Sequence, residues 1–273
     1  MKKFQTTVFL LLFSLTSFGQ EVKVKTMILP KSFRNITLDT YTDSEIKFPV
    51  IKTGYFELDS SINTDLKKRF TKTESKNLST DSILIDWAIE RMFGLEYEVT
   101  SIKNGFISFN ITPHIKLDLS AHIISTYTDY YTYDLKTGKY VEFNEIIDIP
   151  SDFQKRLNSD KLKQFEIQKE KLEKELELYL EIYEQQELMM HHNTNVPPFY
   201  YPDYKGMWRK SELEDYSKCK DYLDMISFAL HSDSLEIIFK CCDSNDRDIF
   251  NQNPVIKLKY NYEDLREYLK VKL

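Results

Sequence analysis

Four groups of residues in this chain have the types and spacing to do chemistry. The first is His191-His192, with Glu187 four positions before His191. On a continuous helix Glu187 and His191 share a face, and a carboxylate with two imidazoles is a donor set for a divalent metal. Adjacent imidazoles meet on one ion only where the chain bends, and HExxH, HxH and a carboxylate triad are all missing from the sequence. A solvated helix end is therefore the expectation, with Glu187, His191 and His192 as weak metal candidates. The second group is sulfur: Cys219 and the vicinal Cys241 and Cys242. In an oxidising compartment Cys219 is expected to bridge either Cys241 or Cys242, leaving an odd thiol. The vicinal pair ends an alternating run from Leu235 to Lys240, so its side chains point to opposite faces and only one can reach Cys219. Neither CxxC nor a neighbouring histidine accompanies them, which speaks against a redox or metal site.

The third group is His114 and His122, both in strand-like sequence. They read as packed or edge histidines before general bases, and Ser120 cannot serve His122 because residues close along a strand do not converge as a catalytic pair needs. The fourth is aromatic: Phe199, Tyr200, Tyr201 and Tyr204, set among Pro197, Pro198 and Pro202, with Trp208 close behind. Prolines stiffen such a loop, and exposed rings stack on sugars or anchor a protein partner. These five are the expected ligand-binding residues; the competing reading is that their rings fill a small core beneath the loop. Tyr127, Tyr130, Tyr131 and Tyr133 crowd one further segment, where alternation places Tyr127, Tyr131 and Tyr133 on one side and Tyr130 on the other, one set packed and one exposed.

Composition narrows the chemistry further. The 273 residues are 41% hydrophobic and 14% aromatic, enough to bury a sizeable core. Only six are glycine, and the sequence holds no GxGxxG, no GxxxxGK[ST] and no GxSxG, so no nucleotide cofactor and no catalytic residue is assigned. The net charge of −6 opposes phosphate backbones and anionic membranes, and favours a basic partner. Residues 1–19 read as a cleavable signal peptide: Lys2 and Lys3 form the positive end, Val8 to Leu15 the apolar stretch, and Gly19 the cleavage site. Their loss makes the mature chain more negative by two charges. No later segment has the ~18 apolar residues of a membrane helix, so the protein is expected in the periplasm or outside the cell, with an ending typical of Bacteroidetes-like secreted proteins.

The elements that must position these groups form an α+β pattern. Ile36 to Tyr41 and Ile46 to Ile51 read as strands. A helix capped at Asp59 or Ser60 carries Ile62, Leu66 and Phe70, and a second runs from Thr80 to Phe93, closed by Gly94. Period-2 alternation then takes over: Leu95 onward, a hairpin at Asn104-Gly105, returning strands to Tyr133, and turn chemistry at Asp134 to Lys139 followed by Tyr140 to Phe143. This predicts an antiparallel meander packed against helices, with a long charged helix inserted at about 152–190, open to a break at Asn158-Ser159-Asp160, and an aromatic loop at 191–210. That helix packs one stripe on the sheet or serves as a coiled-coil surface. A hairpin about Ser232-Asp233, a strand Val255 to Tyr260 and a closing helix Tyr262 to Leu269 follow. The domain is read in two halves, 20–133 and 134–273.

Three stretches carry a resemblance. FPVIKTGYFELDSSINTDLKKRF, with its Ile62-Asn63 pair, resembles the start of a domain of unknown function; SAHIISTYTDYYTYDLKTGKYVEFNEII resembles its partner domain, with an Asp-Leu-x-Thr-Gly-Lys turn; SFALHSDSLEIIFK and VIKLKYNYEDLREYL are similar to the closing strands. This domain pair is found in the ectodomains of RsiV-type anti-sigma factors, which bind lysozyme, and ahead of the catalytic domain in PdaC-type peptidoglycan deacetylases. Between the last two strands CCDSNDRDIFNQNP stands where the family carries a Tyr-x-x-x-Pro-Tyr-Ala-x-Gly-like stretch. The resemblance implies this fold and an envelope setting, not an anti-sigma role. Together with the leader and the missing catalytic motifs it leads to the expectation of a secreted, non-catalytic module that binds a protein, lysozyme among the choices, or a cell-wall glycan. An envelope hydrolase and a structural or assembly subunit are the alternatives.

Overall fold

A type I′ turn organises the largest sheet. Asn104 and Gly105 both take positive φ, 53° and 85°, the pair of left-handed residues that lets two strands meet with their natural twist. Strands β3 (Met92–Lys103) and β4 (Phe106–Lys116) leave that turn in antiparallel register, Lys103 opposite Phe106. The computed structural model describes residues 22–28, 47–73, 81–82, 84, 92–116, 124–192, 213–214, 216–241 and 255–273. Its other elements are β1 (Lys23–Ile28), β2 (Lys47–Lys52), α1 (Phe56–Thr71), β5 (Ile124–Thr126), β6 (Asp129–Asp134), α2 (Phe143–Ile146), α3 (Ser151–His192), a 3-10 turn Cys219–Tyr222, β7 (Leu223–Leu230), β8 (Ser234–Cys241) and β9 (Val255–Asn261). They build three antiparallel sheets: the ribbon β1-β2, the sheet in which β4 pairs with β3, β5 and β6, and the sheet β7-β8-β9. The class is α+β, as the pattern predicts.

Alternation decides which side of each strand is buried. Ile107, Phe109 and Ile111 of β4, Tyr131 and Tyr133 of β6 and Leu95 of β3 enclose one core with Phe48 and Ile51 of β2 and Ile62, Leu66 and Phe70 of α1. A second core lies between α3 and the last sheet, where Phe153, Leu157 and Phe165 meet Leu235, Ile237, Phe239, Ile256 and Leu258. Tyr130 faces away from the first core and packs on Ala229 and Ile238 instead. The four-tyrosine segment therefore differs from its expectation of one exposed side: Tyr130, Tyr131 and Tyr133 are all buried, because a second sheet covers the far face, and Tyr127 lies in the link before β6.

Several boundaries also differ. Helix α1 starts at Phe56, a turn before the expected cap. Asp59 is instead a buried carboxylate that accepts from Thr53 N and Thr53 Oγ1 at 2.6 and 2.7 Å. Met92, Phe93 and Gly94 belong to β3, so Gly94 closes no helix; it pairs with His114. Tyr140 makes a single bridge to Tyr133, and the chain then turns into α2 through a capping box between Glu142 and Glu145. Helix α3 passes through Asn158-Ser159-Asp160 unbroken, since Asp160 directs its carboxylate outward to the Tyr260 hydroxyl, 2.8 Å away, and caps nothing. The closing segment after Asn261 is a run of turns held by i→i+3 bonds such as Leu265 N to Tyr262 O, not a helix.

Candidate functional site

The pairing of β3 with β4 puts its even-numbered residues on one face. Glu96 stands opposite Thr112, Glu98 opposite Asn110 and Gly94 opposite His114. The odd-numbered partners point into the first core, which leaves the polar side chains on the outer face. They are linked across the strands: the His114 Nε2 and Glu96 Oε1 are 3.2 Å apart, Asn110 Nδ2 donates to Glu98 Oε2 at 3.2 Å, and the hydroxyls of Thr112 and Thr128 meet at 3.0 Å. From His114 to Asn110 the strip is about 13 Å long at ~3.3 Å per residue.

Two tyrosines flank the strip: Tyr97, which leaves β3 on the opposite face and packs against the first core, and Tyr130 on the covered part of the same face. At the His114 end a groove of about 490 Å³ opens between β3 and the β1-β2 ribbon, lined by Thr26, Lys47, Gly94, Leu95, Glu96, Tyr97 and His114. Tyr97 shares a 2.7 Å hydrogen bond with Thr26 across it. At the other end Tyr130 is buried, and Lys257 from β9 lies 5.4 Å from its ring centroid. Burial works against the Lys257 charge, but Tyr130, Glu236 and Glu98 outweigh it and hold the ammonium above the usual lysine range. Among the described residues no hydrogen bond of regular geometry reaches the Tyr130 hydroxyl, and Lys257 is a charged neighbour.

Pro113 marks the point where β4 changes partner. β6 pairs with β4 only as far as Ile111, and β5 takes over from His114. Proline, which cannot donate to a ladder, falls in the gap between the two neighbours. The end of β4 is thereby held by a short strand, with His114 turned towards Glu96. Such an arrangement offers donors, acceptors and a ring edge to a polar, extended ligand. Among the described residues, no group of three or more His, Cys, Asp or Glu is placed to hold a metal ion, and no described helix is long and apolar enough to cross a membrane.

The residues singled out by sequence fare differently. Phe199, Tyr200, Tyr201, Tyr204 and Trp208 lie outside the described residues, as do residues 1–19, the strand expected at 36–41, His122 and Cys242. Glu187, His191 and His192 are on the α3 backbone, their side chains outside what is described. Cys219 is joined to Cys241, with Cα atoms 5.4 Å apart and both residues buried in the second core. His114 is a half-buried strand histidine held by Glu96. Thr26, Lys47, Glu96 and Tyr97 were not picked out by sequence. Thr26 and Tyr97 are far apart in the chain, and only the polar alternation of Glu96 and Glu98 hinted at an outward face.

An antiparallel α+β scaffold with an open polar groove is thus the class of protein defined by the fold. No family model matches the sequence, and no curated protein matches it. Among solved structures, a member of the DUF3298 family from Bacteroides fragilis superimposes with a TM-score of 0.51 over 92% of this chain and 94% of its own, at 12% identity. A DUF3298 family protein from Pseudomonas aeruginosa gives a TM-score of 0.45 over 92% and 96%, at 9% identity. At 12% identity the first likeness is one of fold: this chain is built like a domain of unknown function.

Proposed function

We propose that the protein is a secreted, non-catalytic module of the cell envelope that binds a protein or a cell-wall glycan. The groove beside β3 carries this reading: its donors and acceptors are held in place by one another, Tyr97 by Thr26 and His114 by Glu96, as a preorganised polar site requires. The leader-like residues 1–19 and the resemblance to RsiV-type ectodomains and PdaC-type deacetylases support an envelope setting, with lysozyme as the narrower protein ligand. The aromatic residues Phe199, Tyr200, Tyr201, Tyr204 and Trp208 are proposed as a second contact to the same ligand. The test is calorimetric titration of the mature protein with defined peptidoglycan fragments and with lysozyme at moderate salt. His114→Ala, and separately Tyr200→Ala with Tyr204→Ala, should each weaken binding roughly tenfold while stability stays within about 0.5 kcal/mol. Loss of stability in the tyrosine variant would assign those rings to a core. Turnover of the fragments, abolished by carboxylate substitution, would replace this reading with a hydrolase.

A further inference from the structure

The pairing of β3 with β4 has two irregularities, one between Met92 and Gly94 and one between Val99 and Ser101. Between them Gly94 to Val99 run in unbroken register, and among the described residues β4 is the only strand that β3 pairs with. The opposite edge of that regular stretch lines the groove through Gly94, Leu95, Glu96 and Tyr97, with Thr26 and Lys47 across it. A strand edge of this kind offers main-chain N–H and C=O groups at the spacing of another extended chain.

The side chains on the edge define what chain would fit. Glu96 and Glu98 are exposed and point to the same face, two residues apart. Glu96 keeps 75% of its side chain accessible while paired with His114. One contact to His114 and one to Asn110 leave acceptor capacity on both carboxylates, each of which has about four lone-pair sites. On a strand added beside β3, residues opposite Glu96 and Glu98 would have Cβ atoms about 5 Å from theirs, where opposite charges attract and like charges repel. A second copy of this edge, running antiparallel, would set acid against acid. The cations already nearby are Lys47 across the groove and Lys257 close to Glu98. The incoming charges must therefore fall at alternate positions to meet the two carboxylates; general basicity is not enough.

We propose that the β3 edge from Gly94 to Val99 takes up an extended basic peptide as an added strand, with Lys or Arg at alternate positions facing Glu96 and Glu98. This rests on the groove being the binding site, and it names the ligand class. The probe is a blocked eight-residue peptide alternating lysine with threonine, tested with its acidic counterpart and with a version N-methylated at alternate amides. Fluorescence anisotropy should show binding of the basic peptide, roughly tenfold weakening by E96Q with E98Q, and loss on N-methylation. Amide exchange at residues 94–99 should slow when the peptide is bound. Equal binding of the N-methylated peptide, or indifference to E96Q with E98Q at unchanged melting temperature, overturns the proposal. A protein that holds peptidoglycan fragments but not the basic peptide removes this inference and leaves the binding-module reading standing.

Discussion

Asn63 shows how much a single side chain decides and how little of that its position in the sequence reveals. Its Oδ1 accepts from Ile51 N and its Nδ2 donates to Ile51 O, both at 2.8 Å, so the amide completes the edge of β2 as another strand would and ties helix α1 to it. The Ile62-Asn63 pair is visible in the sequence as part of a resemblance, but its purpose depends on a strand that precedes it and on a helix that starts earlier than its capping chemistry suggests. Asp129 is equally opaque to sequence. Burial pushes its carboxyl above the ordinary range, against the pull of Lys72, of the Tyr131 hydroxyl at 3.5 Å and of Lys240. A raised folded-state value means that the folded protein keeps a proton the unfolded chain has lost, so this group's contribution to stability falls as pH rises from the usual carboxylate range through the raised value. Asp129→Asn removes the charge and retains an acceptor for Tyr131. Its melting temperature should exceed the parent's at neutral pH, by about 2–4 °C if ~1 kcal/mol is recovered, and the difference should close under acid. A gap that stays constant across the pH range would show that the carboxylate is not the cause.

At the scale of elements, what was legible was local. The Asp134 to Lys139 turn is written in its own residues: the Asp134 carboxylate accepts from Lys136 N and Thr137 N, and Gly138 takes a φ of 70°. A Cβ on Gly138 would come within 2.8 Å of Leu58 Cδ1, so the turn is also fitted to helix α1. Gly94 misleads for the opposite reason. Its local surroundings suit a helix end, and only its pairing with His114 makes it a strand residue. The bridge between Cys219 and Cys241 belongs here too, because it fastens the turn ahead of β7 to the end of β8. Closing a loop of sequence separation 22 is worth roughly 3 kcal/mol in the chain-entropy account. Cys219→Ala with Cys241→Ala should lower the unfolding free energy by about 2–4 kcal/mol in urea titrations. An unchanged midpoint would mean that the second core holds these two elements together without the link.

Across the whole molecule, the two cores are joined through strand β6, which no pattern in the sequence marks as shared. Tyr131 and Tyr133 stack on Phe109 in the first core, with ring centroids 5.8 and 6.3 Å away. Tyr130, between them and the last sheet, packs on Ala229 and Ile238. Ser108 reinforces the junction: it shares a 3.0 Å hydrogen bond with Thr132 and accepts from Leu230 N at 3.0 Å, so a main-chain donor of β7 is satisfied by a side chain of β4. Lys103 reaches the same hairpin through Ser232 O at 2.7 Å. Halves connected by buried contacts of this kind unfold as one unit, and weakening the contacts separates them. Tyr130→Ala removes the ring that fills the space between the sheets, at a cost of about 3–5 kcal/mol. The loss falls on the coupling between the cores more than on either core alone. Calorimetry of the parent should therefore give a calorimetric enthalpy equal to the van't Hoff value, whereas in Tyr130→Ala the calorimetric enthalpy should exceed it as two overlapping transitions appear. If the variant melts earlier but in a single transition of unchanged cooperativity, the halves are held together by something other than Tyr130.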